Sequence, residues 1–145
     1  MAAPCCSATR ETASSSTACR AILTSPPPRP TSLLETTLLA NTQTLAKIIG
    51  GSGNVVVTAA NLGTIVLSQA NTYSGNTTVA GGTLSLTTAS LSNTGALSVA
   101  SGAFLILTHS STDIVGSLTL GGVLQPNGVY DASNSGGRIT GTGVI

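Results

Sequence analysis

Residues 61–86 read NLGTIVLSQANTYSGNTTVAGGTLSL, and the fold turns on this stretch. Short runs of Val, Ile, Leu and Thr alternate with turns made of Asn, Ser and Gly. That is the composition of strands and corners rather than of helix. In Thr83-Leu84-Ser85-Leu86 the side-chain period is two. Both leucines therefore fall on one face of a strand and both hydroxyls on the other.

The stretch returns, loosely, about every twenty residues. Successive units are 63–82, 83–102, 103–122 and a less regular 123–143. Gly82, Gly102 and Gly122 are each twenty apart. Gly75, Gly95, Gly116 and Gly137 precede the short runs NTTVA, ALSVA, SLTL and RIT at steps of 20, 21 and 21. An earlier half-unit, GNVVVTA from Gly53, leads Gly75 by 22. Val66, Leu86 and Ile106 are twenty apart and are expected to form one interior column.

A fixed period carrying two or more strands is the signature of a solenoid. Each period makes one coil, and each strand pairs in parallel with its counterpart about 4.8 Å away. One coil cannot bury its apolar face, whereas stacked coils share a continuous core. Glycines belong at the corners, where φ is positive or backbones approach closely. The expected fold is an all-β, right-handed parallel β-helix of about four coils over residues 50–145. An antiparallel sandwich would also give short strands with Gly-rich turns. It would not require a register shared by glycines and apolar positions.

Outward from the repeat the composition changes near residue 50. All 17 glycines lie from Gly50 onward, and five of the six prolines lie before it. Residues 1–31, with the run SPPPRP, read as a disordered Ser/Thr/Pro-rich segment. They do not form a good signal peptide, because polar ETASSSTAC separates Arg10 from Arg20. Residues 32–49 are expected to form a short helix or an N-terminal cap. Leu33, Leu34, Leu38, Leu39 and Leu45 suit a short amphipathic helix and suit a first strand pair equally. Cys5, Cys6 and Cys19 are odd in number and lack a Cys-x-x-Cys spacing, so they argue little about compartment.

Charged residues make up 6% of the chain, aromatic residues 2%, and the net charge is +1. Neither nucleic acid nor an anionic membrane is an expected partner of such a surface. No apolar run approaches the roughly 18 residues of a membrane span.

Residues 61–86 resemble the autotransporter-associated β-strand repeat, also called the passenger-associated transport repeat. The family pattern is a GT-x-L-x-L strand, an A-N-T-Y-x-G turn, T-x-V, a Gly-rich corner and a further strand. Here Gly63 to Leu67 stand for the first strand, and Asn71, Thr72, Tyr73 and Gly75 for the turn. Thr77, Thr78 and Val79 stand for T-x-V, Gly81 and Gly82 for the corner, Leu84 and Leu86 for the last strand. IIGGSG at 48–53 resembles the family's lead-in, whereas VVVTAANLG occupies the usual place of Lys-x-Gly-x-Gly. Later units lack the Asn-Thr-Tyr turn. Gly122-Val123, Gln125-Pro126 and Gly128-Val129-Tyr130 resemble the tail that follows such repeats in large bacterial surface proteins.

The resemblance implies a piece of a secreted or surface-displayed bacterial passenger that supports export, folding and display. It implies an extracellular location and, as partners, the parent polypeptide and neighbouring coils. No barrel strands or anchor follow the repeats here, as expected of a fragment or a short soluble relative. The open parallel edges are expected to favour self-association, with 123–145 as a partial cap.

Few residues bear chemistry. From Ile48 to Thr112 there is no Asp, Glu, Lys or Arg. His109 and Asp113 are four apart in HSSTD and read as ordinary turn residues rather than an acid/base pair. Two ligands do not make a metal site, and GGSG at 50–53 lacks the Lys-Ser/Thr of a phosphate loop. The chain is expected to be neither an enzyme nor a cofactor or metal carrier. Asn71 reads as a turn residue or as an inward amide hydrogen-bonded to its counterpart in a neighbouring coil, with Tyr73 packed over the same corner. The alternative function is adhesion, or glycan- or ice-type binding, on a face carrying Thr77, Thr83, Thr87, Ser98 and Thr119.

Overall fold

Strand pairing follows from the repeat, because each β-type run finds its counterpart one coil away. The computed structural model describes residues 22–24, 31–34 and 41–145. The first sheet contains β1 (Ile22–Thr24), β2 (Thr31–Leu34), β5 (Asn54–Val57), β8 (Thr77–Val79), β10 (Ala96–Val99), β12 (Ser117–Leu120) and β13 (Val123–Leu124), in that spatial order. From β2 to β12 all its pairings are parallel, and antiparallel β1 and β13 close its two ends. The second sheet runs β3 (Thr42–Leu45), β6 (Thr64–Leu67), β9 (Thr83–Leu86), β11 (Phe104–Leu107) and β14 (Ile139–Gly141), all parallel. A short third side pairs β4 (Gly50–Gly51) with β7 (Thr72–Tyr73). The chain is thus an all-β solenoid of about four coils, and no helix occurs among the described residues.

At the N-terminus, Thr31–Leu34 and Thr42–Leu45 are strands, so the described residues of 32–47 take the strand alternative rather than the helix. Each strand gains a ladder of hydrogen bonds from the coil above it, which outweighs weak local helix preference. The disordered reading of 1–31 lies mostly outside the described residues; within it Ile22–Thr24 pairs with β2. Leu38 and Leu39 also lie outside the described residues.

The core is a set of columns. Val55, Thr77, Leu97 and Leu118 align across the first sheet, with Val57, Val79, Val99 and Leu120 beside them. In the second sheet Ile65, Leu84, Leu105 and Ile139 align, and Leu67, Leu86 and Leu107 form the next column. The expected column of Val66, Leu86 and Ile106 does not exist. Val66 and Ile106 pair with Ser85 on the outer face, while Leu86 is fully buried between Leu67 and Leu107.

The reason for this error is the corner, which changes length. Gly82 leads directly into Thr83, but Ala103 intervenes between Gly102 and Phe104 and is itself buried. The interior steps are therefore 19 residues from Leu67 to Leu86 and 21 from Leu86 to Leu107. A one-residue slip exchanges the two faces of a strand, so a constant count of twenty selects the wrong side chains.

Glycines follow two separate needs. A Cβ on Gly75 would lie 2.1 Å from the Gly53 carbonyl oxygen, one on Gly95 2.3 Å from that of Gly75, and one on Gly116 2.5 Å from that of Thr94. These glycines form a column of close backbone approach. Gly82 and Gly102 instead adopt positive φ, 59° and 82°. Gly137 does not extend the Gly75 column; it has positive φ and no neighbour where a Cβ would stand.

Candidate functional site

The Asn-Thr-Tyr corner is a stacking device. Asn71 Oδ1 accepts the Ile49 N–H at 2.8 Å from the coil before it, and its Nδ2 donates to Ser90 Oγ at 3.4 Å in the coil after it. Thr72 projects outward from β7 while Tyr73 turns in and is buried. The Tyr73 hydroxyl and Thr77 Oγ1 are 2.7 Å apart within the core. Burial pushes the Tyr73 phenol above its usual range; the Thr77 hydrogen bond opposes this and the Asp113 charge adds to it. Thr77 therefore belongs to the interior, not to the outward hydroxyl face expected of it.

The remaining motif residues divide between core and corner. Leu67, Val79, Leu84 and Leu86 are interior. The Gly63 carbonyl accepts Thr83 N–H at 3.0 Å and Asn61 Nδ2 at 2.9 Å. A Cβ on Gly81 would approach the Ala59 carbonyl to 2.8 Å. Thr78 faces outward in register with Val56 and Ser98, and Thr119 continues that rank. A second outward rank runs Thr42, Thr64, Thr83, Phe104. Beside it Ser85, although on the outer face, is only 7% exposed, so these ranks do not form one open hydroxyl plane.

Asparagine side chains bond coil to coil elsewhere too. Asn54 Oδ1 accepts Asn76 N–H and Asn76 Oδ1 accepts Ala96 N–H, both at 2.9 Å. Each amide extends a backbone ladder past the end of a strand.

His109 and Asp113 are not exposed turn residues. They are 8% and 3% exposed and lie under the C-terminal segment. Asp113 Oδ1 accepts the Leu91 N–H at 2.9 Å, across the same 22-residue interval that separates Ile49 from Asn71. Asp113 thus repeats the task of Asn71 with a carboxylate. His109 Nδ1 is 3.0 Å from the Ser111 carbonyl, which only accepts, so this nitrogen carries a proton. Nε2 is 3.1 Å from Asp113 Oδ2 but misaligned, so the two atoms form no directed hydrogen bond. A carboxylate beside an imidazole resembles half of an acid/base apparatus. Here both groups are sealed beneath the tail. Thr142 Oγ1 donates to the His109 carbonyl at 3.1 Å, and Asp113 N–H donates to the Val144 carbonyl at 2.9 Å.

Beyond this pair the end of the solenoid uses single side chains. Arg138 Nη1 donates to the Ala100 carbonyl at 3.1 Å, with its guanidinium against Gly121. Ser135 Oγ bridges within its own loop, accepting Ile139 N–H at 3.0 Å. Asp131 is held below the usual carboxylate range by hydrogen bonds from the Ser133 side chain and backbone. An open groove of about 300 Å³ lies between residues 112–118 and 125–130, with Leu118, Tyr130 and Ile145 in its lining. Among the described residues no three of His, Cys, Asp and Glu converge, and no helix is long and apolar enough to cross a membrane. Comparison with protein-family models, with curated proteins and with solved structures finds no match to this chain.

Proposed function

We propose that this chain is a structural module of passenger type, a β-solenoid segment of a secreted or surface-displayed protein that assists export and folding and holds its neighbours at a distance. The observation that carries the reading is the use made of polar side chains. Asn54, Asn71, Asn76 and Asp113 each accept a backbone N–H from an adjacent coil. Polar groups that a catalytic groove would aim at substrate are spent here on coil-to-coil bonding. The resemblance of residues 61–86 to the passenger-associated repeat supports the same reading.

Vectorial folding gives such a module its use. Each new coil templates on an existing edge, so a chain emerging from a membrane adds order coil by coil. The test is to substitute this chain for the barrel-proximal β-helical segment of an autotransporter. Surface display is then measured by protease accessibility on intact cells. Display equal to that of the parent is expected. Retention equal to that of a chain with the segment deleted would overturn the proposal.

A further inference from the structure

We infer that Asn127–Gly128 is a self-modifying site: Asn127 deamidates without an enzyme, and the isoaspartyl product loosens the C-terminal end of the solenoid. An asparagine loses its amide when the backbone nitrogen of the next residue attacks the side-chain carbonyl carbon. The attack needs a small following residue, a backbone N–H not held in a hydrogen bond, and a side chain free to turn.

Asn127 meets all three needs. It alone among the eight asparagines precedes a glycine. Five of the others precede Thr or Val, whose branched side chains crowd the attack and stiffen the backbone. Asn127 and Gly128 are both exposed at the lip of the C-terminal groove. Among the described residues, neither the Asn127 side chain nor the Gly128 N–H has a hydrogen-bond partner. Asn134, seven residues on, is the opposite case. Its Oδ1 accepts the Asp131 N–H at 2.9 Å and its Nδ2 donates to the Val129 carbonyl at 2.8 Å. The Ser135 N–H that would attack it donates to the Asp131 carbonyl at 3.2 Å. Nor does the fold require a glycine at 128. Its φ is not left-handed, and a Cβ there would meet only the Tyr130 ring, at 3.7 Å.

The chemistry uses solvent alone. The Gly128 nitrogen gives its proton to hydroxide and bonds to Asn127 Cγ. The Cγ–Nδ2 bond breaks, and the nitrogen leaves as ammonia after taking a proton from water. Water then opens the five-membered imide at either carbonyl, giving aspartate by one route and isoaspartate by the other. One water is consumed, and nothing is oxidised or reduced. Either product adds a negative charge to a chain of net charge +1. Isoaspartate also routes the main chain through the side-chain carbon, which lengthens the loop by one atom. That loop is closed by the Tyr130 hydroxyl, which donates to the Pro126 carbonyl at 2.8 Å. Tyr130 also exchanges two backbone hydrogen bonds of 2.9 Å with Ile145, so a slack loop slackens the tail.

Ageing the full chain at mildly alkaline pH tests the inference. An endoproteinase that cuts before aspartate releases residues 113–130, in which Asn127 is the sole asparagine. This peptide is expected to gain about 1 Da and mostly to resist a further cut at 127, as isoaspartate does. Conversion is expected to run at least about tenfold faster at Asn127 than at any other asparagine, and about tenfold slower in Gly128→Ala. Melting of fresh Gly128→Ala should match the parent. Hydrogen exchange at Tyr130 and Ile145 should quicken in the aged chain and stay at the parent rate in Asn127→Asp, which has the charge without the extra atom. Asn127 intact while another asparagine converts, a rate indifferent to Gly128→Ala, or exchange at Tyr130 and Ile145 unchanged by ageing would each overturn the inference.

Discussion

The middle coils and the C-terminal end solve the same problem by different means. Between β5 and β12 interior positions are covered by like residues one coil away, Leu67 by Leu86, Leu86 by Leu107, Val79 by Val99, except where Thr77 stands between Val55 and Leu97. Translation alone satisfies core and backbone there. From Leu107 to Gly141 the step lengthens to 34 residues, because a hairpin and a loop interrupt the coil. Nothing above repeats what lies below. The end is held instead by Asp113 on the Leu91 N–H, by Arg138 on Ala100 and by the Ser135 turn. Repetition builds a solenoid cheaply in sequence terms, and stopping one takes individual side chains placed once.

The sharpest way to break this comparison is to charge a column. Leu86→Asp places an unpaired carboxylate between Leu67 and Leu107 and is expected to cost about 5 kcal/mol or more, abolishing the cooperative melt. Val66→Asp, on the outer face, should cost no more than about 1 kcal/mol. Equal losses would reject the register described here.

Glycine substitutions separate the regions next. Gly95→Ala drives a methyl into the Gly75 carbonyl and is expected to cost about 3 kcal/mol. Gly137→Ala meets only its positive φ, near 1 kcal/mol. Denaturant midpoints of the two variants measure the difference.

At the end itself, Asp113→Ala leaves the buried Leu91 N–H without its acceptor and removes the carboxylate beside His109 Nε2. The expected loss is about 3 kcal/mol, with exchange of residues 139–145 accelerated before global unfolding. Asp113→Asn keeps an acceptor for Leu91 and should recover part of that loss. Full recovery would show that the His109 contact contributes nothing.

The smallest effect belongs to pH. Burial raises the Tyr73 phenol above its ordinary value of 10.0, so the fold holds this proton more tightly than the unfolded chain does. Its contribution is complete below pH 10 and is lost as pH rises through the folded value. Melting temperature should fall above pH 10, less steeply in Tyr73→Phe. Identical slopes would place Tyr73 outside the core.

Much of this was legible in the residues. The Gly75, Gly95, Gly116 column and the Thr83–Leu86 alternation announced parallel coils, whereas Asn71 bonds its neighbouring coils through the Ile49 N–H and Ser90 Oγ rather than through a counterpart amide. Val66 and Ile106 were misplaced because corner length varies, and a count of residues carries no record of where the chain bends. The burial of Thr77 and Asp113 was also missed, since hydroxyls and carboxylates look the same in a turn as in a core. The equal 22-residue intervals Ile49–Asn71 and Leu91–Asp113 were the one available signal.

The sequence by itself determined the class of fold, because a period of glycines and β-branched or leucine residues has few other ways to bury its apolar side chains. The tertiary structure alone decided which residue of each strand faces inward, and that a buried His–Asp contact and an antiparallel hairpin end the stack. Those outcomes depend on the path of each corner through space, and one added alanine there reverses the faces of the strand that follows.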